Sequence, residues 1–272
     1  MDLFFPQWQG SGATDEVYHG ARLLRDHLSP PISFVDVPVQ PLHPLTLEQN
    51  IWGRAVLIEQ LSAARAILQQ HDPSHIFSVG GDCAGEIASV SFLNAKYQGD
   101  LAVVWMDAHA DMNTPASSPS KTLHGMPLRT LLGEGDASLL ERAFSTLSPR
   151  QVFLVGTREF DPDEEHYIQQ HQVSVLNDPQ AFQGLADQIT SAGFRQVYIH
   201  LDFDVLDPGI FPYTTAPSAN GLSINRLMAI LEALHRAFEV VGFSLLELAA
   251  AEPSSLTVIQ PILDFYAHRD VY

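Results

Sequence analysis

The part of the sequence that decides the fold is Val103-Val-Trp-Met-Asp107-Ala-His109-Ala-Asp111-Met-Asn113. Its first four residues are apolar and predict a buried strand, which runs directly into an Asp-x-His-x-Asp pattern. Side chains at alternate positions of an extended backbone lie on one side, so two carboxylates and an imidazole converge there. Such donors suit a divalent cation such as Mn²⁺, Fe²⁺, Co²⁺, Ni²⁺ or Zn²⁺. The alternative for this stretch alone is a polar strand exit with a surface histidine between solvated acids.

Length and charge limit the class of protein. The chain has 272 residues, of which 46% are hydrophobic, enough for one sizeable core and near the usual ceiling for a single domain. We therefore expect one domain over residues 1–272. The formal net charge is -18 and no Lys/Arg-rich run interrupts it. Phosphate backbones and anionic membrane surfaces would repel such a chain, which argues against both nucleic acid and membrane as partners.

Cysteine content and hydropathy predict the compartment. Cys83 is the single cysteine, so an internal disulfide framework is excluded and a reducing compartment is favoured. The chain shows no basic leader, and no apolar run reaches the roughly 18 residues that a membrane helix needs. We expect a soluble cytoplasmic protein.

Strand-like and helix-like apolar patterns alternate along the chain. Strands are predicted at 3–5, 32–37, 75–79, the run that ends at 106, 152–155, 173–176, 197–203 and 240–248. Helices are predicted at 15–28, 47–70, 84–97, 126–132, 138–144, 162–170, 181–191, 224–237 and 256–266. Alternation of this kind favours an α/β fold, a single-domain three-layer α/β/α structure with a mainly parallel eight-stranded sheet.

Polar clusters follow five of these strands: 80–83, 107–113, 156–161, 202–204 and Glu247. In a parallel sheet, ligands bind beyond the carboxyl ends of the strands, and every one of these clusters falls there. Asp202 and Asp204 repeat the alternate spacing of the first motif. Together with Asp107, His109 and Asp111 they make five ligands, more than one catalytic Zn²⁺ takes, which predicts a pair of metals with shared carboxylates.

With these motifs the sequence resembles the ureohydrolase family, and within it the arginases. The resemblance runs from Gly80 to about Glu247. It rests on Ser-Val-Gly-Gly-Asp-Cys83, Trp-Met-Asp107-Ala-His109-Ala-Asp111-Met-Asn113-Thr-Pro, Ser120-Lys-Thr-Leu-His124-Gly-Met-Pro-Leu, Gly156-Thr-Arg-Glu159-Phe-Asp161-Pro and Leu-Asp202-Phe-Asp204-Val-Leu-Asp-Pro. The resemblance implies an arginase-like fold, a binuclear centre of two divalent ions with Mn²⁺ as the expected metal, and a homo-oligomer, a trimer or hexamer.

The resemblance also implies a ligand set. One ion would be bound by His109, Asp107, Asp202 and Asp204, the other by Asp107, Asp111, Asp202 and residue 83, with Asp107 and Asp202 bridging. The family has His where this chain has Cys83. Thiolate is a soft ligand that disfavours Mn²⁺ relative to Zn²⁺ and must first lose its proton. The second site could be weak or empty, could hold another metal, or could use the thiolate; Cys83 could equally be a small buried residue without metal contact.

The remaining family roles fall on named positions. His124 matches the proton shuttle, Asp111 the residue that helps to stabilise the intermediate, and Glu247 the acid that holds the guanidinium group. Substrate contacts are implied for Asn113 and Ser120 at the α-carboxylate and for Glu159, Asp161 and Glu164 at the α-amino group. The Asn-Pro that usually follows the guanidinium-binding acid is missing, so Glu252 is an alternative anchor, and Thr215-Ala216-Pro217 replaces the family's Gly-Thr-Pro.

The resemblance thus implies metal-dependent hydrolysis of a linear guanidino compound by a metal-bridging hydroxide. L-arginine, giving L-ornithine and urea, is the expected substrate, because Asn113 and Ser120 suit an α-amino acid better than agmatine. Agmatinase, guanidinobutyrase or formimidoylglutamase-type activity is the alternative. Two further hypotheses are a non-catalytic relative impaired in metal binding because of Cys83, and a chain that acts mainly as a structural subunit of an oligomer.

Overall fold

The computed structural model describes residues 1–12, 14–29, 32–40 and 44–268. Its strands are β1 (Asp2–Phe5), β2 (Val35–Asp36), β3 (Leu47–Glu48), β4 (Ile51–Trp52), β5 (Ile76–Gly80), β6 (Leu101–Met106), β7 (Val152–Val155), β8 (Ser174–Leu176), β9 (Gln196–Asp202) and β10 (Glu239–Leu246). Eight of them form one sheet in the order β2-β1-β5-β10-β9-β6-β7-β8. Every neighbouring pair in this sheet is parallel. The predicted parallel eight-stranded sheet is confirmed.

Helices cover both faces of the sheet. They are α1 (Glu16–His27), α2 (Arg54–His71), α3 (Glu86–Lys96), α4 (Pro127–Leu131), α5 (Ala137–Leu140), α6 (Pro162–His171), α7 (Pro179–Gln183), α8 (Leu185–Ser191), α9 (Ile224–Ala237) and α10 (Gln260–Ala267). Helix α1 and helices α7 to α10 contribute to one apolar core, and α2 to α6 to the other. Strand β6 serves both, because Val104 packs into the first core while Val103 and Trp105 pack into the second. The predicted three-layer α/β/α architecture is confirmed.

The helix predicted at 47–70 begins later than the apolar spacing indicated. Residues 47–52 form the antiparallel β3–β4 hairpin, and α2 starts at Arg54. The two turn residues Gln49 and Asn50 have φ values of 49° and 62°, the left-handed region that the tightest hairpin turns require. Gly53, with φ 67°, then separates the hairpin from the helix. Ile51 is buried by the hairpin, so an apolar position that fitted helical spacing belongs to a strand.

Smaller differences occur at other predicted elements. Strand β2 has two residues where 32–37 was predicted, and the helix predicted at 181–191 is divided at Gly184, the weakest helix former after proline. The helix predicted at 138–144 ends at Leu140. The amide of Phe144 donates instead to the Ser91 hydroxyl at 3.0 Å, so a tertiary hydrogen bond replaces helical continuation.

The strand order determines where the polar clusters meet. The five strands that carry them, β5, β10, β9, β6 and β7, are adjacent in the sheet. Because these strands are parallel, their carboxyl ends lie at one edge of the sheet.

Among the helices of the described residues, none combines the length and the hydropathy that a membrane-spanning helix requires.

Candidate metal centre

The pairing register of β6, β9 and β10 places the predicted ligands side by side at the carboxyl ends of these strands. Met106 of β6 pairs with Leu201 of β9, so Asp107 and Asp202 come next on adjacent strands. Leu246 of β10 pairs with Asp202, which places Glu247 one residue beyond it. All three carboxylates are buried, with at most 4% of each residue exposed. Residues more than 40 positions apart thus meet because three parallel strands end together.

The first group of donors consists of Asp107, His109 and Asp204. The His109 Nδ1 lies 2.9 Å from Asp204 Oδ2 and 3.5 Å from Asp107 Oδ1. Burial lowers the pKa of His109, but hydrogen bonds and charge attraction from the two aspartates raise that pKa to about 12. Backbone amides support the arrangement, since Ala108 donates to Asp204 and His109 to Asp107.

The second group surrounds Cys83, which follows β5. Its Sγ lies 3.5 Å from Asp202 Oδ2 and 3.7 Å from His200 Nε2. Two sets of donor atoms lie within 4.8 Å of one another here. They are Cys83 with Asp107, Asp111 and His200, and Cys83 with Asp202 and Glu247. Asp107 therefore belongs to both groups, and Asp202 is grouped on the Cys83 side, so the bridging roles of these two aspartates stay a prediction.

Two of the acids stand on strained backbone. Asp111 has φ 52° and Glu247 has φ 59°, conformations that non-glycine residues rarely adopt. The Asp111 carbonyl accepts hydrogen bonds from the amides of Leu128 and Arg129. Such strain is characteristic of positions where side-chain placement matters more than local stability. Here it holds two carboxylates within the cluster.

The electrostatics of the cluster fit a bound cation. Burial raises the pKa of Asp111 and of Asp202, and the neighbouring carboxylates raise both further. Burial raises the pKa of Asp204 to about 6. At Asp107 the effect of burial is outweighed by hydrogen bonds and charge attraction from His109 and His200, which lower the pKa of this carboxyl. Among the described residues, Asp111 Oδ2 is buried without a hydrogen-bond partner. Clustered carboxylates of this kind need protons or positive charge, and the oxygen, nitrogen and sulfur donors fit divalent metal ions.

His124 and Glu247 form a pair beside the cluster. The His124 Nδ1 lies 3.1 Å from Glu247 Oε1, which also accepts a hydrogen bond from the Cys83 amide at 3.3 Å. Burial lowers the pKa of His124, but the negative charge of Glu247 and the hydrogen bond to it give a net rise. The other oxygen, Oε2, accepts from the Thr215 hydroxyl at 2.9 Å. Glu252, the alternative anchor, is exposed at the start of a 3-10 turn.

An open cleft of about 370 Å³ lies beside His109 of the first group of donors. Its lining residues are His109, Glu159, Phe160, Asp161, Glu164, Ala216, Pro217 and Ser218. All three acids predicted for the α-amino group are among them. The Asn113 amide donates to Asp161 Oδ2 at 2.7 Å and so lies beside this wall.

Glu164 and Ser120, both predicted to contact substrate, make hydrogen bonds to other residues of the protein. Both Glu164 oxygens accept backbone amides, from Met112 and Asp161, each at 2.8 Å. Burial raises the pKa of Glu164 to about 7. The hydroxyl of Ser120 is exposed, 2.6 Å from that of Thr122, and Ser120 is not among the residues that line the cleft.

Sequence reasoning missed His200 and Glu86. His200 is fully buried in the cluster, and Glu86, at the start of α3, lies behind it. The signal was present, because His200-x-Asp202-x-Asp204 continues the alternate spacing one step toward the N-terminus on β9. No comparable spacing marks Glu86, which reaches the site only through packing of α3 on the sheet.

Comparison with known proteins identifies the family. The sequence profile of the arginase family matches residues 21–258, most of the chain. The chain belongs to the arginase family. The chain is similar to an arginase of Staphylococcus aureus (strain MRSA252), with 34% identity over 198 residues. That alignment covers 70% of this chain and 62% of the relative's length, so the match spans less than two thirds of the relative.

Solved structures show the same fold. Entamoeba histolytica arginase, in complex with L-ornithine, has a TM-score of 0.86 at 20% identity and covers 97% of each chain. Proclavaminate amidino hydrolase from Streptomyces clavuligerus has a TM-score of 0.73 at 22% identity, covering 100% of this chain and 92% of its own. At these identities the likeness concerns the fold, which proteins named for different substrates share.

Proposed function

We propose that this arginase-family protein is a metal-dependent hydrolase of linear guanidino compounds, with L-arginine as substrate and L-ornithine and urea as products. The observation that carries the proposal is the buried set of carboxylate, imidazole and thiol donors next to an acidic cleft. The curated arginase relative supports the substrate assignment. Agmatine, guanidinobutyrate and formimidoylglutamate are the alternatives, since the fold itself does not select among them.

The donor groups divide into two positions for cations. Asp107, His109 and Asp204 would hold one ion, and Cys83, Asp111 and Asp202 would hold the other, with Asp107 shared. Two divalent cations held there, with Mn²⁺ as the first choice for the oxygen-rich position, would lower the pKa of a water so that hydroxide is available at neutral pH.

We assign guanidinium binding to Glu247 and proton transfer to His124. The Glu247 carboxylate, fixed by Thr215 and His124, would bind and orient the guanidinium through paired charged hydrogen bonds. The negative charge of Glu247 and the hydrogen bond to it raise the pKa of His124 against the effect of burial, which favours the protonated ring beside this carboxylate. Since Nδ1 faces Glu247, Nε2 is the ring atom that would deliver a proton to the leaving amine.

An α-amino-acid substrate fits the acidic side of the cleft. Glu159 and Asp161 line it and would attract an α-ammonium group, and Asn113 lies next to Asp161 to meet the carboxylate. The Entamoeba arginase structure with L-ornithine supports an amino-acid product for this fold. Agmatine carries no carboxylate for Asn113 to meet, and the Asn113 amide would then keep its hydrogen bond to Asp161 without contacting the substrate.

Urea release is the direct test. Purified protein loaded with Mn²⁺, Co²⁺, Ni²⁺ or Fe²⁺ should release urea from arginine faster than from agmatine or guanidinobutyrate, and Glu247→Gln should abolish most of that rate. Higher rates on agmatine would replace arginine as the substrate. Urea from none of these compounds, at full metal occupancy, would sink the proposal.

A second candidate function follows from Cys83. Burial and the surrounding acids raise the pKa of its thiol, so a cation must displace a tightly held proton before sulfur can bind. A chain that holds one metal ion and turns over slowly would be a metal-impaired relative. Metal analysis giving one ion per chain, with Cys83→His restoring both the second ion and the rate, would favour this candidate.

Assembly and location complete the proposal. We infer a homo-oligomer, a trimer or hexamer, in the cytoplasm, because the family forms such assemblies and the single cysteine suits a reducing compartment. Analytical ultracentrifugation of the metal-loaded protein tests the first statement and cell fractionation the second. A purely structural subunit would assemble normally while releasing no urea.

A further inference from the structure

His200 belongs to the Cys83 group of donors but takes no part in the proposed reaction. Its side chain is fully buried, and its ring stacks on Trp105 with centroids 3.4 Å apart and planes 5° from parallel. Nε2 lies 3.5 Å from Asp107 Oδ2 and 3.7 Å from Cys83 Sγ. The distance to Asp107 exceeds that of a strong N–H···O hydrogen bond, whereas the Cys83 thiol lies within the longer range of a contact to sulfur, so Nε2 faces the donor cluster.

Glu86 holds the opposite edge of the ring. Its Oε2 lies 3.4 Å from His200 Nδ1, and that nitrogen has no well-aligned hydrogen bond among the described residues. The carboxylate is itself fixed by the hydroxyls of Tyr198 at 3.1 Å and Ser244 at 2.9 Å. A buried carboxylate behind one ring nitrogen, with the other facing a donor cluster, is the usual support of a metal-binding histidine.

The ring nitrogen also completes a set of donors. Cys83 Sγ, a His200 ring nitrogen and one oxygen each from Asp107 and Asp111 lie within 4.8 Å of one another. Asp111 Oδ2 is likewise buried without a partner among the described residues. A purely structural histidine would explain the stacking on Trp105. It would not explain why the opposite ring nitrogen, Nε2, lies with two carboxylates and a thiol in one buried group of donors.

We infer that His200, oriented by Glu86, is the nitrogen donor of the Cys83-side cation position, and that this position selects Zn²⁺ or Co²⁺ over Mn²⁺. The inference rests on the proposed two-cation centre. The oxygen-rich position of Asp107, His109 and Asp204 carries no sulfur, whereas the Cys83 position combines sulfur, nitrogen and carboxylate. Soft and borderline donors favour the later divalent metals. The two positions therefore differ in metal preference.

Cobalt binding tests this without reference to turnover. Metal-free protein is titrated with Co²⁺ while absorbance and bound metal are measured. Wild type should bind two ions, one of which gives a near-ultraviolet thiolate-to-cobalt band that Zn²⁺ abolishes and Mn²⁺ does not. His200→Asn should weaken the ion that produces this band by roughly 100-fold, and Glu86→Gln by roughly 10-fold. His235→Asn, a half-buried histidine packed on Phe265, is the matched control and should leave the titration unchanged.

Several results would overturn the inference. One is a His200→Asn variant that binds the Co²⁺ ion producing the thiolate band with a Kd within about twofold of the wild-type value. Another is a wild-type protein that lacks the thiolate band at full occupancy or prefers Mn²⁺ there. Should His200→Asn fail to fold, Glu86→Gln decides, and an unchanged Kd in that variant is equally contrary. Urea release is assayed separately, so two bound ions without urea would count against the proposed function alone.

Discussion

At the scale of single residues, hydrogen bonds from neighbouring residues fix the carboxylate of Glu247, which we propose binds the guanidinium group. Thr215 donates to one of its oxygens at 2.9 Å, from a loop that is partly open to solvent. We predict that Thr215→Val raises KM for arginine by roughly 5- to 10-fold with a smaller change in kcat, because one hydrogen bond that orients the carboxylate is lost. Steady-state kinetics at saturating metal measure both constants.

The adjacent threonine provides the control for this prediction. The hydroxyl of Thr214 is buried and has no hydrogen-bond partner among the described residues. Thr214→Val should therefore leave KM unchanged and leave stability equal or slightly higher, since an unpaired buried polar group is removed. Similar KM values for the two valine variants would show that the Thr215 hydroxyl does not orient Glu247.

At the scale of elements, the β3–β4 hairpin explains why α2 starts seven residues later than its predicted start at 47, since it begins at Arg54. The turn residue Asn50 has φ 62°, which costs a β-branched residue about 1–2 kcal/mol and costs glycine nothing. We predict that Asn50→Val lowers the free energy of unfolding by about that amount, and that Asn50→Gly leaves it unchanged or slightly higher. Urea unfolding monitored by circular dichroism measures both.

The glycine variant serves as the control, because both changes remove the same exposed amide side chain. Equal destabilisation by valine and glycine would mean that loss of the Asn50 side chain, rather than backbone strain, determines the effect. Activity should be unaffected in either variant, since the hairpin residue does not line the cleft.

At the scale of the whole molecule, the buried acids couple stability to pH and metal. Without a cation, burial raises the folded-state pKa of Asp204 to about 6, and those of Asp111 and Asp202 also rise. The unfolded values are near 4, so the folded protein holds more protons and loses stability as pH rises through the folded pKa. Cations bound at the proposed centre would replace those protons, so metal-loaded protein should escape this loss.

We therefore predict that the difference in Tm between metal-loaded and chelated protein widens from about pH 5 to about pH 8. At a metal concentration roughly 1000 times Kd the stabilisation is about 4 kcal/mol, or on the order of 10 °C for a chain of this size. Thermal unfolding with Mn²⁺ or with chelator, at each pH, measures the difference. A constant or shrinking difference would show that the acids do not release protons on binding metal.

Much of this molecule could be predicted from local pattern. The period-two spacing of Asp107, His109 and Asp111, and that of Asp202 and Asp204, placed donors on one side of each strand end regardless of what those strands pack against. The alternation of strands and helices likewise predicted a parallel sheet between helical layers, because buried strands and amphipathic helices have few other arrangements. Whether these five donors bind metal stays a prediction.

Tertiary structure alone decided which strand ends meet. Strand β10, last in the chain, lies between β5 and β9, and this brings Glu247 against Cys83, 164 positions away. The same order places His200 beside Cys83 and Glu86 behind His200. Such contacts depend on strand order and long-range packing, which no local spacing encodes. The acidic strand ends and the position of Cys83 could therefore be predicted from sequence, whereas the contact between the His200 imidazole and the Cys83 thiol was decided by the folded chain.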